Sequence, residues 1–168
     1  MVFQAVEADL AEAAPVGVGK KMRKENPKKF FTKEEKEKIV HAIQEAEQKT
    51  SGEIRVHLAS SCKKSVLEEA TETFEKLGMT QTKVRNGILF FLSLSDHQFA
   101  ILGDIGIHEK VHKEFWDHIR DTVIESFKKE EFSEGLIAGI HECGEKLKLY
   151  FPRDHTDQNE LSNDVSSF

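Results

Sequence analysis

The sequence predicts an α/β protein, a three-layer α/β/α sandwich in which helices flank a small mixed sheet. Three segments carry this prediction: strict apolar–polar alternation at 53–59, a continuous apolar run at 87–94 and a turn-linked apolar segment at 98–103. Segments with apolar residues at helical spacing surround them, giving the order α-β-α-β-β-α-α. A helix joins the first two strands, so we expect them to be parallel with a right-handed crossover. The third strand should pair antiparallel with the second as a hairpin.

The first helix begins at Thr32, because Glu35 stands three residues later as a capping box requires. An apolar face follows at helical spacing: Ile39, Ala42, Ile43 and Ala46. Ser51-Gly52 ends the pattern. The alternation at 53–59 predicts a half-buried strand with Ile54, Val56 and Leu58 inward and His57 on the exposed face.

A second helix is predicted at about 65–77, before Gly78, a natural C-terminal stop. The run at 87–94 is typical of a central strand that is covered on both faces. Two amphipathic helices close the domain. Their apolar faces comprise Phe115, Trp116, Ile119, Val123 and Phe127 in one, and Phe132, Leu136, Ile140, Cys143 and Leu147 in the other.

The chain of 168 residues is long enough for one domain with one sizeable core, predicted at 30–152. Residues 1–29 lack a sustained helical pattern and are interpreted as a flexible polar leader, and 153–168 as an acidic C-terminal tail. The net charge of −6 argues against a nucleic-acid partner, which requires a basic face. Two cysteines exclude a disulfide scaffold.

No run of about 18 apolar residues exists, so we expect no membrane partner. The N-terminus carries Glu7, Asp9 and Glu12 where a signal peptide needs an apolar stretch, which favours a cytoplasmic location. We also expect a monomer.

Four oxygen-bearing residues stand near one edge of the predicted sheet. Glu53 begins the first strand, Asn86 precedes the second, and Asp104 follows the third, which runs the other way. Glu109 lies in the next loop. Because neighbouring strands are about 4.8 Å apart, these side chains should approach one another. Carboxylate, amide and carbonyl oxygens suit a hard cation, so we predict a Ca²⁺ site at Glu53, Asn86, Asp104 and Glu109. The competing interpretation is a solvated charge, a turn and a helix cap.

A second motif, His108-Glu109-Lys110-Val111-His112, matches HExxH, in which two histidines on one helix bind zinc and the glutamate is the general base. The match follows a Gly103-Asp104-Ile105-Gly106 turn rather than lying within an apolar helix, and no third ligand is specified. Two surface histidines are therefore the expected explanation, and we do not expect Zn²⁺. A zinc peptidase stays as a remote alternative.

Four segments together resemble the TPM domain family, in the family's order and spacing over about 31–150: Ser51-Gly52-Glu53-Ile54, Arg85-Asn86-Gly87-Ile88-Leu89, Gly103-Asp104-Ile105-Gly106-Ile107 and the run 127–136. The chain is similar to the short, soluble branch of that family. The resemblance implies an α/β/α sandwich and a calcium site at acidic loop positions. It also implies a phosphatase activity proposed for plant members. In many relatives an aspartate stands where this chain has Arg85.

The leading functional hypothesis is therefore a noncatalytic or weakly catalytic TPM-type domain that binds a divalent cation, with a protein partner as an open extension. A metal-assisted acid phosphatase (a phosphomonoesterase-type hydrolase) is the alternative. A plain interaction module without a ligand is a further one. The sequence does not establish a catalytic activity.

Overall fold

The structure, a computed structural model, describes residues 3–9 and 26–168. The strands are β1 (Phe3–Asp9), β2 (Glu53–Ala59), β3 (Gly87–Ser93) and β4 (Gln98–Gly103). The helices are α1 (Pro27–Phe30), α2 (Lys33–Glu47), α3 (Val66–Lys76), α4 (Ile105–His108), α5 (Lys113–Lys128) and α6 (Phe132–Tyr150), with a 3₁₀ turn at Met79–Gln81. No helix within the described ranges has the length and apolar content to cross a membrane.

The strands form one mixed sheet in the order β1-β4-β3-β2. The β2 and β3 strands are parallel, with Glu53 opposite Gly87, and β4 returns antiparallel to β3 as the hairpin predicts. Helices cover both faces. The three-layer α/β/α architecture is therefore confirmed, and the shared sheet edge on which the site prediction depends is present.

The sheet has one strand more than predicted. Residues 3–9, which the sequence assigned to the flexible leader, form β1 and pair antiparallel with β4. Without β1, the outer edge of β4 would present unpaired backbone groups, so an extended segment gains hydrogen bonds by lying there. The short helix α1 also begins inside the expected leader, where the Asn26 side chain accepts from the Lys28 amide. Residues 10–25 of that leader lie outside the described ranges.

Two hydrophobic cores lie on opposite faces of the sheet. The larger packs α2, α5 and α6 against the inward side chains Ile54, Ile88, Phe90 and Ile101. The smaller packs α3 against Leu89, Phe91, Ala100 and Leu102. Because β3 contributes to both cores, every residue of that strand is buried, as its continuous apolar sequence predicts.

The β2 strand is buried along its whole length, so the prediction of a half-buried strand was wrong. His57, expected on the exposed face, has only 1% of its surface accessible. The C-terminal segment (153–168) causes this burial, because it folds back along the free edge of β2. The Leu58 amide donates to the Ser166 carbonyl, and the Ser166 amide donates to the Val56 carbonyl, both at 3.0 Å. The expected acidic tail is thus a covering layer of the domain.

Candidate functional site

Three of the four predicted site residues meet at one edge of the sheet. Glu53 lies opposite Gly87, and the Asp104 amide donates to the Gly87 carbonyl at 2.9 Å. Asn86, next to Gly87, is fully buried, and Glu53 and Asp104 are buried as well. The fourth, Glu109, is the exposed C-cap residue of α4. The structure therefore brings the first three to a common edge and leaves Glu109 on the surface.

The Asp104 carboxylate forms an ion pair with the Arg85 guanidinium. Arg85 donates to both of its carboxylate oxygens, from Nε to Oδ2 at 2.5 Å and from Nη2 to Oδ1 at 2.7 Å. Oδ1 also accepts from the Ile105 amide at 2.8 Å, which caps α4. The hydrogen bonds to Asp104 raise the pKa of the Arg85 guanidinium. The Asp104 carboxylate therefore has a structural role: it caps α4, and the Arg85 guanidinium already compensates its charge.

Asn86 keeps an oxygen available. Its Nδ2 donates to the Ser51 hydroxyl at 3.2 Å. Its Oδ1 is buried and has no hydrogen-bond partner within the described part of the chain. A buried amide oxygen without a donor costs free energy, so such an atom is a candidate ligand for water or a cation.

The centre of the site is a pair of buried carboxyl groups, Glu53 and Glu47, which is the last residue of α2. Oε1 of Glu47 accepts from the Ile54 amide at 2.9 Å, and its Oε2 accepts from Nδ2 of Asn163. Oε1 of Glu53 accepts from the Glu160 amide at 2.7 Å, whereas its Oε2 receives no hydrogen bond from the described residues. Two segments that are far apart in the sequence therefore enclose the pair.

Burial raises the pKa of both carboxyl groups of this pair. Desolvation is the largest cause that raises the pKa of Glu53, to about 8, and the charges of Glu47 and Glu160 raise it further. Burial also raises the pKa of Glu47, opposed by its hydrogen bonds to Ile54, Asn163 and Glu53 and by the Arg153 charge. Glu47 accepts hydrogen bonds from the Ile54 amide and from Asn163, which oppose the effect of burial on its pKa, whereas Glu53 accepts one, from the Glu160 amide.

A cavity of about 10 Å³ adjoins the pair, roughly the space of one water molecule. Its wall combines the Glu47 end of α2 with residues 157–159 of the C-terminal segment; the lining residues are Glu47, Thr50, Ser51, Gly52, Glu53, Arg153, Asp157, Gln158 and Asn159. The guanidinium of Arg153 is fixed here by bonds to the carbonyls of Glu47 at 2.9 Å and Asp157 at 3.1 Å.

The sequence prediction missed three residues of this site: Glu47, Asn163 and Glu160. Glu47 stands four residues after Ile43, so it continues the apolar stripe of α2 into the core, and a carboxylate in that position is the signal that was available. Asn163 and Glu160 carry no such signal, because they reach the pair from more than 100 residues away.

The HExxH segment does not have the geometry of a zinc peptidase. Helix α4 ends at His108, and His112 is the N-cap residue of α5. The two histidines therefore do not lie one turn apart on a single helix, which the motif requires.

The possible ligand atoms at the carboxyl pair are oxygens, which are the ligands that a hard cation prefers. Carboxyl oxygens of Glu47 and Glu53 lie next to a cavity of atomic size. Oε2 of Glu53, and Oδ1 of Asn86 at the same sheet edge, have no hydrogen-bond partner within the described part of the chain. Among the residues that the structure describes, however, no group of three or more His, Cys, Asp and Glu side chains is arranged to hold a metal ion. A cation here needs amide and backbone oxygens in addition to Glu47 and Glu53.

The carboxyl pair predicts an unusual pH dependence of stability. The folded pKa of Glu53 is raised above its ordinary value of 4.5, so its stabilising contribution is complete below pH 4.5 and is lost as the pH rises through about 8. His57 acts oppositely: burial lowers its pKa from 6.5 to about 4, so its contribution is lost as the pH falls below 6.5. The window from pH 6.5 to 8 therefore reports on the carboxyl pair of Glu53 and Glu47 without the contribution of His57.

We expect the free energy of unfolding to fall by roughly 2 kcal/mol between pH 6.5 and 8, which urea unfolding would measure. Glu53→Gln, a neutral isostere that still donates to Glu47, should remove that slope. An equal slope in the variant would show that the carboxyl pair does not hold the proton.

Comparison with known proteins yields a family match and a related solved structure for this chain. The family model described as TPM domain matches residues 25–146. Among solved structures, the chain is similar to the BA42 protein from the psychrophilic bacterium Bizionia argentinensis, an NMR structure. The identity is 40%, the match covers 85% of this chain and 99% of that chain, and the TM-score is 0.80. Comparison with curated proteins returns no match.

Proposed function

Because the chain belongs to the TPM domain family, we propose that it is a cation-binding TPM domain which takes Ca²⁺ at the buried pair of Glu47 and Glu53, with Asn86 at the same sheet edge. The supporting observation is the pair itself: two carboxyl groups held together out of water, with one oxygen of Glu53 unsatisfied within the described chain. Such a pair is stabilised by a proton, and a divalent cation supplies the same compensation.

This proposal revises the ligand set that the sequence suggested. Glu53 and Asn86 are retained, and Glu47 is added because its buried carboxyl group lines the same cavity as Glu53. Asp104 supports the edge through Arg85 and α4 rather than through the cation, since its carboxylate is already paired. Glu109 is exposed and serves as a control.

Cation binding at this pair must displace a proton. At pH 7, below the pKa of Glu53, we expect release of about one proton per Ca²⁺ bound. The apparent affinity should therefore rise about tenfold per pH unit between pH 6 and 8 and level off above that range. Calorimetric titration in buffers of different ionisation enthalpy measures both quantities.

Glu53→Gln and Glu47→Gln should each weaken Ca²⁺ binding by about 100-fold, because one carboxylate of the pair is lost. The matched control is Glu109→Gln, which removes an exposed carboxylate at the end of α4 and should bind as the unmodified chain does. Amide NMR shifts upon titration should cluster around residues 47, 53 and 86. Loss of binding in Glu109→Gln alone, or an affinity that is independent of pH, would contradict the proposed site.

The phosphomonoesterase alternative is tested with the same proteins. It predicts that Ca²⁺ or another divalent cation supports turnover of an aryl phosphate and that turnover disappears together with cation binding in Glu53→Gln. Turnover that persists in that variant would not arise from this site.

A further inference from the structure

The C-terminal segment lies on β2 as a short additional strand. Ser166 is aligned in parallel with His57, and its backbone exchanges hydrogen bonds with Val56 and Leu58, as a neighbouring strand would. Because β2 is the last strand in the sheet order, this edge is otherwise open. An open edge strand is a template for pairing with an extended chain.

The end of the segment is held by side chains of the domain. The Phe168 ring lies 4.5 Å from the imidazole of His57, measured between ring centroids, and the ammonium of Lys76 stands 5.7 Å from the same phenyl ring. Nδ1 of His57 is 2.9 Å from the Ser166 hydroxyl. The contact is shallow, since Phe168 remains 68% exposed. The segment is thus specifically aligned but weakly buried at its end.

Charge favours one contact between the segment and β2, that of Asp164 with Arg55. The stretch 154–168 carries no lysine or arginine and four carboxylates: Asp154, Asp157, Glu160 and Asp164. Beneath it lies Arg55, which is 8% exposed and whose Nε has no hydrogen-bond partner within the described part of the chain. Burial lowers the pKa of the Arg55 guanidinium, and the Asp164 carboxylate is the largest of the charges that oppose this effect. A buried guanidinium with a free donor favours a carboxylate-bearing strand.

We propose that the free edge of β2 is a docking site for an extended acidic peptide of another protein and that the C-terminal segment is its intramolecular occupant. The incoming peptide adds a strand by β-augmentation. Its backbone takes the place of Ser166 between Val56 and Leu58, a carboxylate two residues earlier pairs with Arg55, and an aromatic residue two positions later lies on His57. This inference does not rest on cation binding, although the displaced segment also encloses Glu47 and Glu53 through the Asn163 side chain and the Glu160 amide.

The test uses a labelled peptide of residues 154–168, followed by fluorescence anisotropy with the full chain. In the unmodified chain the tethered segment competes at an effective concentration in the millimolar range. Ser166→Pro in the full chain removes the amide that donates to Val56 and should release residues 164–168 from the edge, whereas the bonds of Glu160 and Asn163 to the carboxyl pair remain. We expect the Ser166→Pro chain to bind the peptide at least about 50-fold more tightly than the unmodified chain does.

Peptide variants identify the binding mode. A peptide with Ser166→Pro should not bind, whereas Ser167→Pro should bind normally, because the amide of residue 167 points away from β2 in this alignment. Asp164→Asn in the peptide should weaken binding about tenfold. Equal binding of the Ser166→Pro and Ser167→Pro peptides, or no loss in Asp164→Asn, would overturn the proposal. Dimerisation of the chain by exchange of its own segment would replace the foreign peptide with a second copy and would also overturn it.

Hydrogen exchange on the unmodified chain provides a measurement that needs no variant. If the segment leaves the edge as a unit, the Leu58 amide should exchange through a local opening, at least about 100-fold faster than the Leu92 amide in the interior of β3. Exchange of both amides only by global unfolding would mean that the edge is never open, and the docking site would be excluded.

Discussion

Arg85→Met should lower the free energy of unfolding by about 3–5 kcal/mol, since it leaves a buried carboxylate without its cation. Asp104 is fully buried, and its charge is compensated by two charge-assisted hydrogen bonds from Arg85. Once these are lost, the Ile105 amide is the one donor to Asp104 that remains among the described residues. Urea unfolding monitored by circular dichroism measures the loss.

Two further variants separate the ion pair from the volume of the side chain. Arg85→Lys retains the charge but not the bidentate hydrogen bonding, so we expect the free energy of unfolding to fall by about 1–2 kcal/mol. Adding Asp104→Asn to Arg85→Met should recover part of the stability, because an unpaired amide is less costly to bury than an unpaired carboxylate. A loss below about 1 kcal/mol in Arg85→Met would indicate that water solvates Asp104 and that the pair is dispensable.

Gly106→Ala should destabilise the protein by about 3 kcal/mol, because its added methyl group has no space. A Cβ at this position would lie 2.2 Å from the carbonyl oxygen of Val84 and 2.6 Å from that of Arg85. Both obstacles are backbone atoms. The close approach also allows the Gly106 amide to donate to the Arg85 carbonyl at 2.8 Å. The substitution would therefore separate α4 from the loop that carries Arg85 and Asn86.

Gly78→Ala is the matched control. Gly78 has a positive φ of 72°, but a Cβ there would meet nothing within 4 Å, so the expected cost is about 1 kcal/mol of backbone strain. Thermal or urea unfolding of both variants should show a clearly larger loss for Gly106→Ala. Equal losses would mean that the loop yields to the methyl group and does not hold the sheet edge rigidly.

Local patterns predicted most of the elements. The capping box at Thr32 and Glu35 forms as its spacing requires. Strands β2 and β4 have the limits that alternation and the hairpin turn indicated. Chain direction then followed from connectivity, which is why the meeting of Glu53, Asn86 and Asp104 at one edge was predictable.

The details of the site were less predictable, because they depend on contacts between distant segments. Arg85 lies 19 residues from Asp104, and Glu53 lies 107 residues from Glu160. Neither pair has a helical or strand period that would relate its members. A list of oxygen-bearing residues at one edge therefore could not show that Asp104 already has a cation or that Glu47 shares a proton with Glu53.

The layers, the strand directions and the edge at which polar residues gather could be read from periodicity, caps and short connections. Long-range packing was needed to show that β2 is buried along its whole length, that β1 extends the sheet and that the acidic C-terminal segment closes over Glu47, Glu53 and His57. This difference arises from burial. The ionisation of a side chain depends on what excludes water from it, and here the covering atoms come from the opposite end of the chain.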